Sequence, residues 1–517
     1  MTAPVTGRAR RPPSSLTAPH RLTALVFATY AVPTALFGES IPANRGLGYD
    51  GTIYASIATR FGHLVRTGGL DSYDVWRALP SGAVWLIFRV FGVASTPQHL
   101  MLGFRWVNVI ELIASIYVVH LIAQRLSFSV RAEWFVLLGM FGSFFALKWT
   151  LFDPVLVDCS GFFLAVVLLW AFLDERPIVL GAVTLLGAFT WPLVFVEGLV
   201  LLACPRSHRW GEPRPTDRVL AASLSVVAAA AAFVTLRTLD HDRGLSRALR
   251  AGLAPEWRSW AFVSALIAAA WVGLGLYPVV RGLLRARAVR FEVRRIVIAA
   301  VVAVVTLVAH LVLTASPDQG LATLRAPTPA GFVVRQNLWT ALGKPGIFVV
   351  SHVVFFGPVV LLTILVWPRV VDSMRPRGLA LLVVAGMAVV LSLDAESRQL
   401  VDLVPLVVVF TAVAVQPRLR SSLVFVFGAA TVAASKVWLP INHGRYPYPG
   451  TFFDFPAQYL FMNAGPYISS RSYAIQGSMV LAAGIALTVF LVGSRGGAPE
   501  RSGTTDPVTL PAGGSHA

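Results

Sequence analysis

The chain has little charge, few lysines and almost no cysteine. Only 13% of its 517 residues are charged, whereas a soluble domain carries roughly a quarter. Three of its 43 basic residues are lysines, Lys148, Lys344 and Lys436, a bias typical of a GC-rich genome. The two cysteines, Cys159 and Cys204, both lie in apolar segments, and this excludes a disulfide framework and a cysteine-ligated metal. The low charge excludes a soluble globular protein.

Long apolar segments fill most of the sequence. Hydrophobic residues make up 56% of the chain, and the mean hydropathy is +0.70. Runs of about 16–24 apolar residues are long enough to cross a hydrocarbon core of ~30 Å as helices. We therefore predict an all-α fold, a polytopic transmembrane helical bundle of about 12–14 helical segments. The runs are Leu22–Phe37, Leu100–Ala123, Ala132–Trp149, Val155–Leu173, Ile178–Cys204, Val219–Thr235, Trp260–Val280, Ile296–Ala315, Gly346–Trp367, Leu379–Leu393, Leu400–Val415, Leu423–Leu439 and Ile475–Val492.

The distribution of arginine predicts the topology. The net charge of +18 sits mostly between apolar runs, which indicates cytoplasmic anchoring and anionic lipid rather than nucleic acid. We predict a multi-pass plasma-membrane protein with both termini in the cytoplasm. Residues 1–21 form a disordered basic tail, residues 22–493 the transmembrane domain with a large acidic outer loop at 38–99, and residues 494–517 a disordered tail.

Three segments call for other structures. Ile178–Cys204 has Trp191-Pro192 in its middle, so we predict a hairpin of two short helices that turns at the proline. Ser81–Phe91 is short and interrupted by Arg89, which favours a helix lying in the outer interface. Leu236–Ser259 has apolar residues at roughly helical spacing between arginines, and we predict a second interfacial helix there.

The first outer loop contains the leading catalytic candidates. Asp50 lies in the run Gly48–Tyr54, between two glycines that permit tight turns. An outward carboxylate can act as a general base on a hydroxyl acceptor, although Asp50 also suits the N-cap of a helix starting at Thr52. Glu39 stands at the outer end of the first helix. Glu39 is either a second acid of the site or an ordinary charged residue at the end of a helix.

Two aspartates flank the outer end of the run Val155–Leu173. Asp158 lies about one turn inside this apolar run, where a carboxylate is costly in lipid and usually faces a cavity or the protein interior. Asp153 precedes Pro154 and is either a substrate contact or a simple helix start. We take both as candidate substrate-binding residues.

Three arginines are candidates for binding a phosphate. Arg77, Arg105 and Arg398 all fall near the predicted outer surface, and guanidinium matches phosphate oxygens in a bidentate manner. The alternative is that they reach lipid headgroups. Arg398 shares a very short loop, Asp394–Arg398, with the further candidate Glu396. No nucleotide, phosphate-loop or zinc motif is present, so we predict no cofactor, and nothing indicates a divalent metal.

This plan resembles the GT-C superfamily of integral-membrane glycosyltransferases. That group includes protein mannosyltransferases and the arabinosyl and mannosyl transferases of actinobacterial envelopes. One helix, a large acidic outer loop and many further helices match it, and Tyr49–Ala55 is similar to the Asp-x-x-x-Tyr motif that opens the first loop in several such families. Members often have paired acids in this loop, whereas Gly51 follows Asp50 here.

The resemblance implies an inverting glycosyltransferase. Its donor would be a polyprenyl-phosphate-linked sugar, and its acceptor a glycan, lipid or protein of the envelope. An outer-loop carboxylate would activate the acceptor, a role that goes to Asp50 or, failing it, to Glu39. Two alternatives stay open: a transporter or flippase of lipid-linked sugars, which usually has internal repeats and mid-membrane breaks, and a non-catalytic scaffold.

Overall fold

A computed structural model describes residues 16–241, 257, 259–315, 338–440, 468 and 470–493. Within these ranges the chain is predominantly helical, with one two-stranded sheet. The helices are α1 (Ala18–Phe37), α2 (Gly51–Thr67), α3 (Ala78–Phe91), α4 (Pro97–Leu126), α5 (Val130–Phe141), α6 (Thr150–Phe152), α7 (Asp158–Leu173), α8 (Pro177–Gly187), α9 (Pro192–Ala203), α10 (Pro215–His241), α11 (Ala261–Leu284), α12 (Val293–Leu313), α13 (Ile347–Phe356), α14 (Val359–Met374), α15 (Leu379–Leu391), α16 (Leu403–Val415), α17 (Ser421–Ser435) and α18 (Ser470–Gly493). Short 3-10 helices occupy Ala43–Gly46, Asp74–Arg77, Arg375–Arg377, Ser397–Leu400 and Gln416–Arg418, and a π-helix occupies Phe145–Trp149.

The predicted helical bundle is present. In the described part of the chain, five helices (α4, α10, α11, α12 and α18) are long and apolar enough to cross a membrane, and two bent pairs bring the number to seven. A multi-pass membrane protein follows from these lengths and compositions. The hairpin at Trp191-Pro192 is also confirmed, because α8 ends at Gly187 and α9 starts at Pro192.

The run Gly346–Trp367 is not the single helix that we predicted. It divides into α13 and α14, which are bent by 112°. Gly357 between them has φ of 89°, a conformation that ends a helix and that glycine adopts without strain. Pro358 follows it and cannot donate a backbone hydrogen bond to extend α13. A smaller bend of 51° separates α5 from Phe145–Phe152.

Two details of the arginine-rich segments also differ from expectation. Strand β1 (Arg206–Trp210) pairs antiparallel with β2 (Ala286–Arg290), so that Arg206 lies opposite Arg290. These two strands depart from the predicted all-α fold. The basic tail ends earlier than residue 21, since α1 starts at Ala18 with a proline in its first turn. Proline is favoured at that position.

The segment between α1 and α4 folds back onto the bundle as α2 and α3. The Ser81 hydroxyl donates to the Tyr54 carbonyl (3.1 Å), and the Leu79 amide donates to the carbonyl of Phe189 in the α8–α9 turn (2.8 Å). Helix α3 starts at Ala78 and leaves Leu86, Val90 and Phe91 among its exposed apolar side chains. We call the end of the bundle that this segment covers the loop end.

Two groups of buried apolar side chains form the interior. The larger one joins α1–α9 to α14–α16, and the smaller one lies among α10, α11, α13 and residues 338–342. The predicted C-terminal tail, and most of the N-terminal tail and of the Leu236–Ser259 helix, lie outside the described residues.

Candidate functional site

Arg398 is the centre of an acidic cluster at the loop end. Its guanidinium contacts Asp50 (2.9 Å), Asp158 (3.8 Å) and Glu396 (2.5 Å). Asp50 is 348 residues away in sequence, so the cluster exists only in the folded bundle. Burial lowers the pKa of Arg398, but the three acids outweigh it and the pKa lies well above its ordinary value. Arg398 is therefore a permanent cation at the centre of the cluster.

Asp50 is the accessible acid of this cluster. Its side chain is 46% exposed, against 3% for Asp158 and 14% for Glu396. Asp50 occupies the N-cap position of α2, yet its side chain makes no capping hydrogen bond. The carboxylate turns to Arg398 instead, which leaves it both oriented and open to solvent.

Asp158 is held from two sides. It is the first residue of α7, and its Oδ2 accepts a hydrogen bond from the indole N–H of Trp149 (3.0 Å). Trp149 ends the π-helix Phe145–Trp149, and such π-turns often occur at functional sites. The turn before α7 is fixed by Asn108 of α4, which donates to the carbonyls of Thr150 (2.8 Å) and Pro154 (3.0 Å).

Asp153 belongs to the same cluster but has no ion pair in the described residues. It interacts electrostatically with Arg398, Asp158 and Asp50, and its buried Oδ1 has no hydrogen-bond partner there. Burial, with help from the two neighbouring acids and against Arg398, raises the pKa of Asp153 to about 8. At neutral pH this carboxyl group is mostly protonated, and it can donate a hydrogen bond.

Gly48 allows the Asp153 carboxyl group to pack directly against the backbone just before α2. A Cβ on Gly48 would lie 2.7 Å from Oδ1 of Asp153, and the φ of Gly48 is +74°. Both features require glycine at this position. The glycine that the sequence singled out for its turn therefore also makes room for a buried acid.

Arg77 is a buried cation without an acidic partner within ion-pair distance in the described residues. It is 6% exposed, and its guanidinium lies over the rings of Tyr73 (4.4 Å) and Trp191 (5.6 Å). Arg77 interacts electrostatically with Asp50 and with Arg398. Its planar fork therefore has donors to offer an anion at the edge of the cluster.

Glu39 and Arg105 make other contacts. Glu39 forms an ion pair with Lys148, which also donates to the Leu439 carbonyl (3.1 Å). Arg105 is 3% exposed and donates to the carbonyls of Ala35 (3.0 Å), Glu39 (2.8 Å) and Leu151 (2.9 Å). Its donors secure the end of α1 and are not directed at a ligand.

The turn that carries Glu396 and Arg398 is internally braced. Asp394 accepts a hydrogen bond from the Glu396 amide (2.8 Å). The ring nitrogens of buried His352 contact Ser397 (2.9 Å) and the Ser392 carbonyl (2.9 Å). The supporting residues Asn108, Trp149 and His352 were not among the predicted site residues, because a neutral polar or aromatic side chain in an apolar run is typical of helix packing.

An apolar groove starts beside this turn. It has a cavity volume of about 90 Å³, and its lining includes His352, Phe356, Leu400, Leu403 and Val404. The groove follows the bend between α13 and α14 and faces α16. The groove is close to the cluster along the chain, since Leu400 is two residues after Arg398.

Six of the eight predicted site residues therefore meet at the loop end: Asp50, Arg77, Asp153, Asp158, Glu396 and Arg398. Comparisons of the chain with protein-family models, curated proteins and solved structures find no match in any of the three. Within the described residues, no group of three or more His, Cys, Asp or Glu side chains has a metal-binding arrangement.

Proposed function

We propose that the chain is a membrane glycosyltransferase. It would move a sugar from a polyprenyl-phosphate donor to an envelope glycan, lipid or protein at the outer face of the plasma membrane. The proposal depends on one observation: a half-exposed Asp50 is oriented by Arg398 close to a second arginine, Arg77, that has no acidic partner within ion-pair distance in the described residues.

Asp50 suits the role of general base. A base must be ionised and must reach the acceptor hydroxyl. Arg398 orients the carboxylate, and the exposed part of the side chain can meet a hydroxyl from outside. Asp158 and Glu396 are too buried for this and instead balance the charge of Arg398. Glu39 is engaged by Lys148, which favours Asp50 between the two candidates.

Arg77 suits the donor phosphate. Arginine binds phosphate through two parallel hydrogen bonds, and the rings of Tyr73 and Trp191 hold the guanidinium in place without using its N–H donors. The apolar groove beyond Leu400 has the character expected of a polyprenyl site. The predicted outer-face location would follow from the arginine-rich segments at the opposite end of the bundle.

A lipid-linked-sugar flippase is the second candidate. The 112° bend between α13 and α14 borders the groove, and broken helices are common in transporters. Against it, the acids gather at one end of the bundle. A flippase would move labelled donor across sealed vesicles and form no covalent product.

The test is sugar transfer in purified membranes, with radiolabelled polyprenyl-phosphate mannose and arabinose as donors. Asp50→Asn should lower the rate at least 100-fold, because a general base typically contributes 10²–10⁴. The matched control is Asp372→Asn, since Asp372 is 47% exposed and paired with Arg375 at 3.3 Å, far from the loop end. Full activity of a correctly inserted Asp50→Asn protein would remove Asp50 as the base.

The same assay tests Arg77. Arg77→Gln should raise the KM for the donor about 10–100-fold, the worth of a lost hydrogen bond to a charged group. Arg377 is a matched control, because it also stacks on a ring, that of Phe410 (5.5 Å), in a different part of the bundle. An unchanged KM for Arg77→Gln would place the phosphate elsewhere.

A further inference from the structure

Two buried acids near the cluster were not among the predicted site residues. Glu197 lies in α9, and Asp402 immediately precedes α16; they are 5% and 2% exposed. Their side chains are within hydrogen-bond reach of each other. Neither forms an ion pair with a cation in the described residues.

The hydrogen bonding of these two carboxyl groups indicates that a proton lies between them. Asp402 Oδ1 accepts a hydrogen bond from the indole N–H of Trp191 (3.2 Å). Asp402 Oδ2 and Glu197 Oε1 are buried, and no donor of the described chain reaches them. Two ionised carboxylates in contact, without a cation, would repel each other and lack solvation. One proton held between the two side chains satisfies both orphan oxygens and leaves a single negative charge.

The pair holds Trp191 at its indole N–H, through Asp402. The indole also rests directly on the backbone of α7, because a Cβ on Gly161 would lie 2.9 Å from Trp191 Cγ. Trp191 is 1% exposed, so its ring has little freedom once the N–H is bound. The same ring supports the Arg77 guanidinium at 5.6 Å.

We infer that Glu197 and Asp402 share one proton and act as positioning residues, which set Trp191 and through it the Arg77 guanidinium that binds an anionic phosphate group. The position of Arg77 depends on this pair because Trp191 is the link between the two. The phosphate part of this inference rests on the proposed function, whereas the shared proton and the Trp191 contact do not.

The first experiment detects the shared proton without any activity. Infrared difference spectra of the purified full-length protein compare wild type with Glu197→Gln. Loss of a protonated-carboxyl C=O band in the variant is expected, because glutamine replaces the proton by an amide N–H. Glu133→Gln is the control, since Glu133 is also buried but accepts a hydrogen bond from Thr17 (2.8 Å). An identical carboxyl band in wild type and Glu197→Gln overturns the shared proton.

The second experiment follows Trp191 itself. The protein is labelled with 5-fluorotryptophan, and the Trp191 fluorine resonance is assigned by its loss in Trp191→Phe. Glu197→Ala should shift this resonance, and Glu197→Gln should restore it towards the wild-type position. If Glu197→Ala leaves the resonance unmoved, the pair does not position Trp191. If Glu197→Ala fails to fold, a wild-type-like resonance in Asp402→Leu overturns the inference in the same way.

The third experiment connects the pair to phosphate. In the transfer assay, Glu197→Ala should raise the donor KM about tenfold and change kcat less, and Glu197→Gln should recover most of the loss. Equal donor KM values for wild type and Glu197→Ala overturn the link to Arg77. If wild type transfers no sugar, the proposed function fails, while the infrared and fluorine results still decide on the pair.

Discussion

Removing the cation at the centre of the cluster should destabilise the protein by a calculable amount. In Arg398→Gln, the largely buried carboxylates of Asp158 and Glu396 lose the cation that lies 3.8 Å and 2.5 Å from them. Unit charges about 4 Å apart interact by ~4 kcal/mol at an effective dielectric constant near 20. Breaking a buried pair by removing one partner costs about 3–5 kcal/mol. Asp50 adds little, because its side chain is 46% exposed and exposed pairs contribute roughly 0–1 kcal/mol.

That cost converts into a measurable shift of the melting temperature. The entropy of unfolding is about 2.1 cal/mol/K per residue, and for a chain of 517 residues a loss of ~4 kcal/mol lowers Tm by roughly 4 °C. Thermal unfolding in detergent, followed by intrinsic fluorescence, provides the measurement. Arg89→Gln is the control, because Arg89 is exposed on α3 and its removal should change Tm by less than about 1 °C.

A second substitution separates the buried charge from general damage. In Arg398→Gln with Asp158→Asn, no buried carboxylate is left at position 158, while the asparagine oxygen can still accept the Trp149 N–H. We expect the double variant to recover about half of the lost Tm, a coupling typical of residues in contact. An unchanged Tm in Arg398→Gln, or a double variant that melts lower still, would refute the electrostatic account of the cluster.

Two further predictions concern Asp153 and the loop around it. Burial raises the pKa of Asp153 to about 8. The folded state therefore holds a proton that the unfolded state has released, and stability falls as pH rises from about 4 towards 8, by at most ~1.4 kcal/mol per pH unit. Asp153→Asn should make the fall of Tm between pH 6 and 8 shallower than in wild type, and an equal slope in both proteins would contradict this. Gly48→Ala should lower Tm more than Gly92→Ala. Both glycines have positive φ, but a Cβ on Gly48 would lie 2.7 Å from the Asp153 side chain, whereas a Cβ on Gly92 would have nothing within 4 Å. Equal losses of Tm would mean that the contact with Asp153 is unimportant.

The helices could be predicted from the sequence because apolar length is a local property. The bundle, the hairpin at Trp191-Pro192 and the helix at Ala78–Phe91 all follow from composition and a few breaking residues. The bend at Gly357 was missed for the opposite reason. One glycine and one proline inside a run of otherwise apolar residues do not reveal whether neighbouring helices will support a turn of 112°.

The sequence predicted most of the residues of the site, but not the contacts that these residues make with one another. Asp50 fits a helix N-cap by every local criterion, and only the fold brings Arg398 to it. Arg105 looks like a surface cation in the sequence, yet it is buried against backbone carbonyls. Glu197 and Asp402 had the same signal as Asp158, an acid inside an apolar run, and that rule could have found both.

Exposure assigns the roles within the cluster more sharply than charge does. Asp158 and Glu396 are nearly hidden, so their effect on a ligand must pass through Arg398, which they keep in place. Asp50 contacts the same guanidinium but faces solvent. Because the buried acids hold Arg398 in place, Arg398 in turn holds the one carboxylate of the cluster that a hydroxyl can approach. Substitutions of Asp50 and Asp158 should accordingly differ in kind: the first removes chemistry from an intact fold, and the second loosens the support on which that chemistry depends.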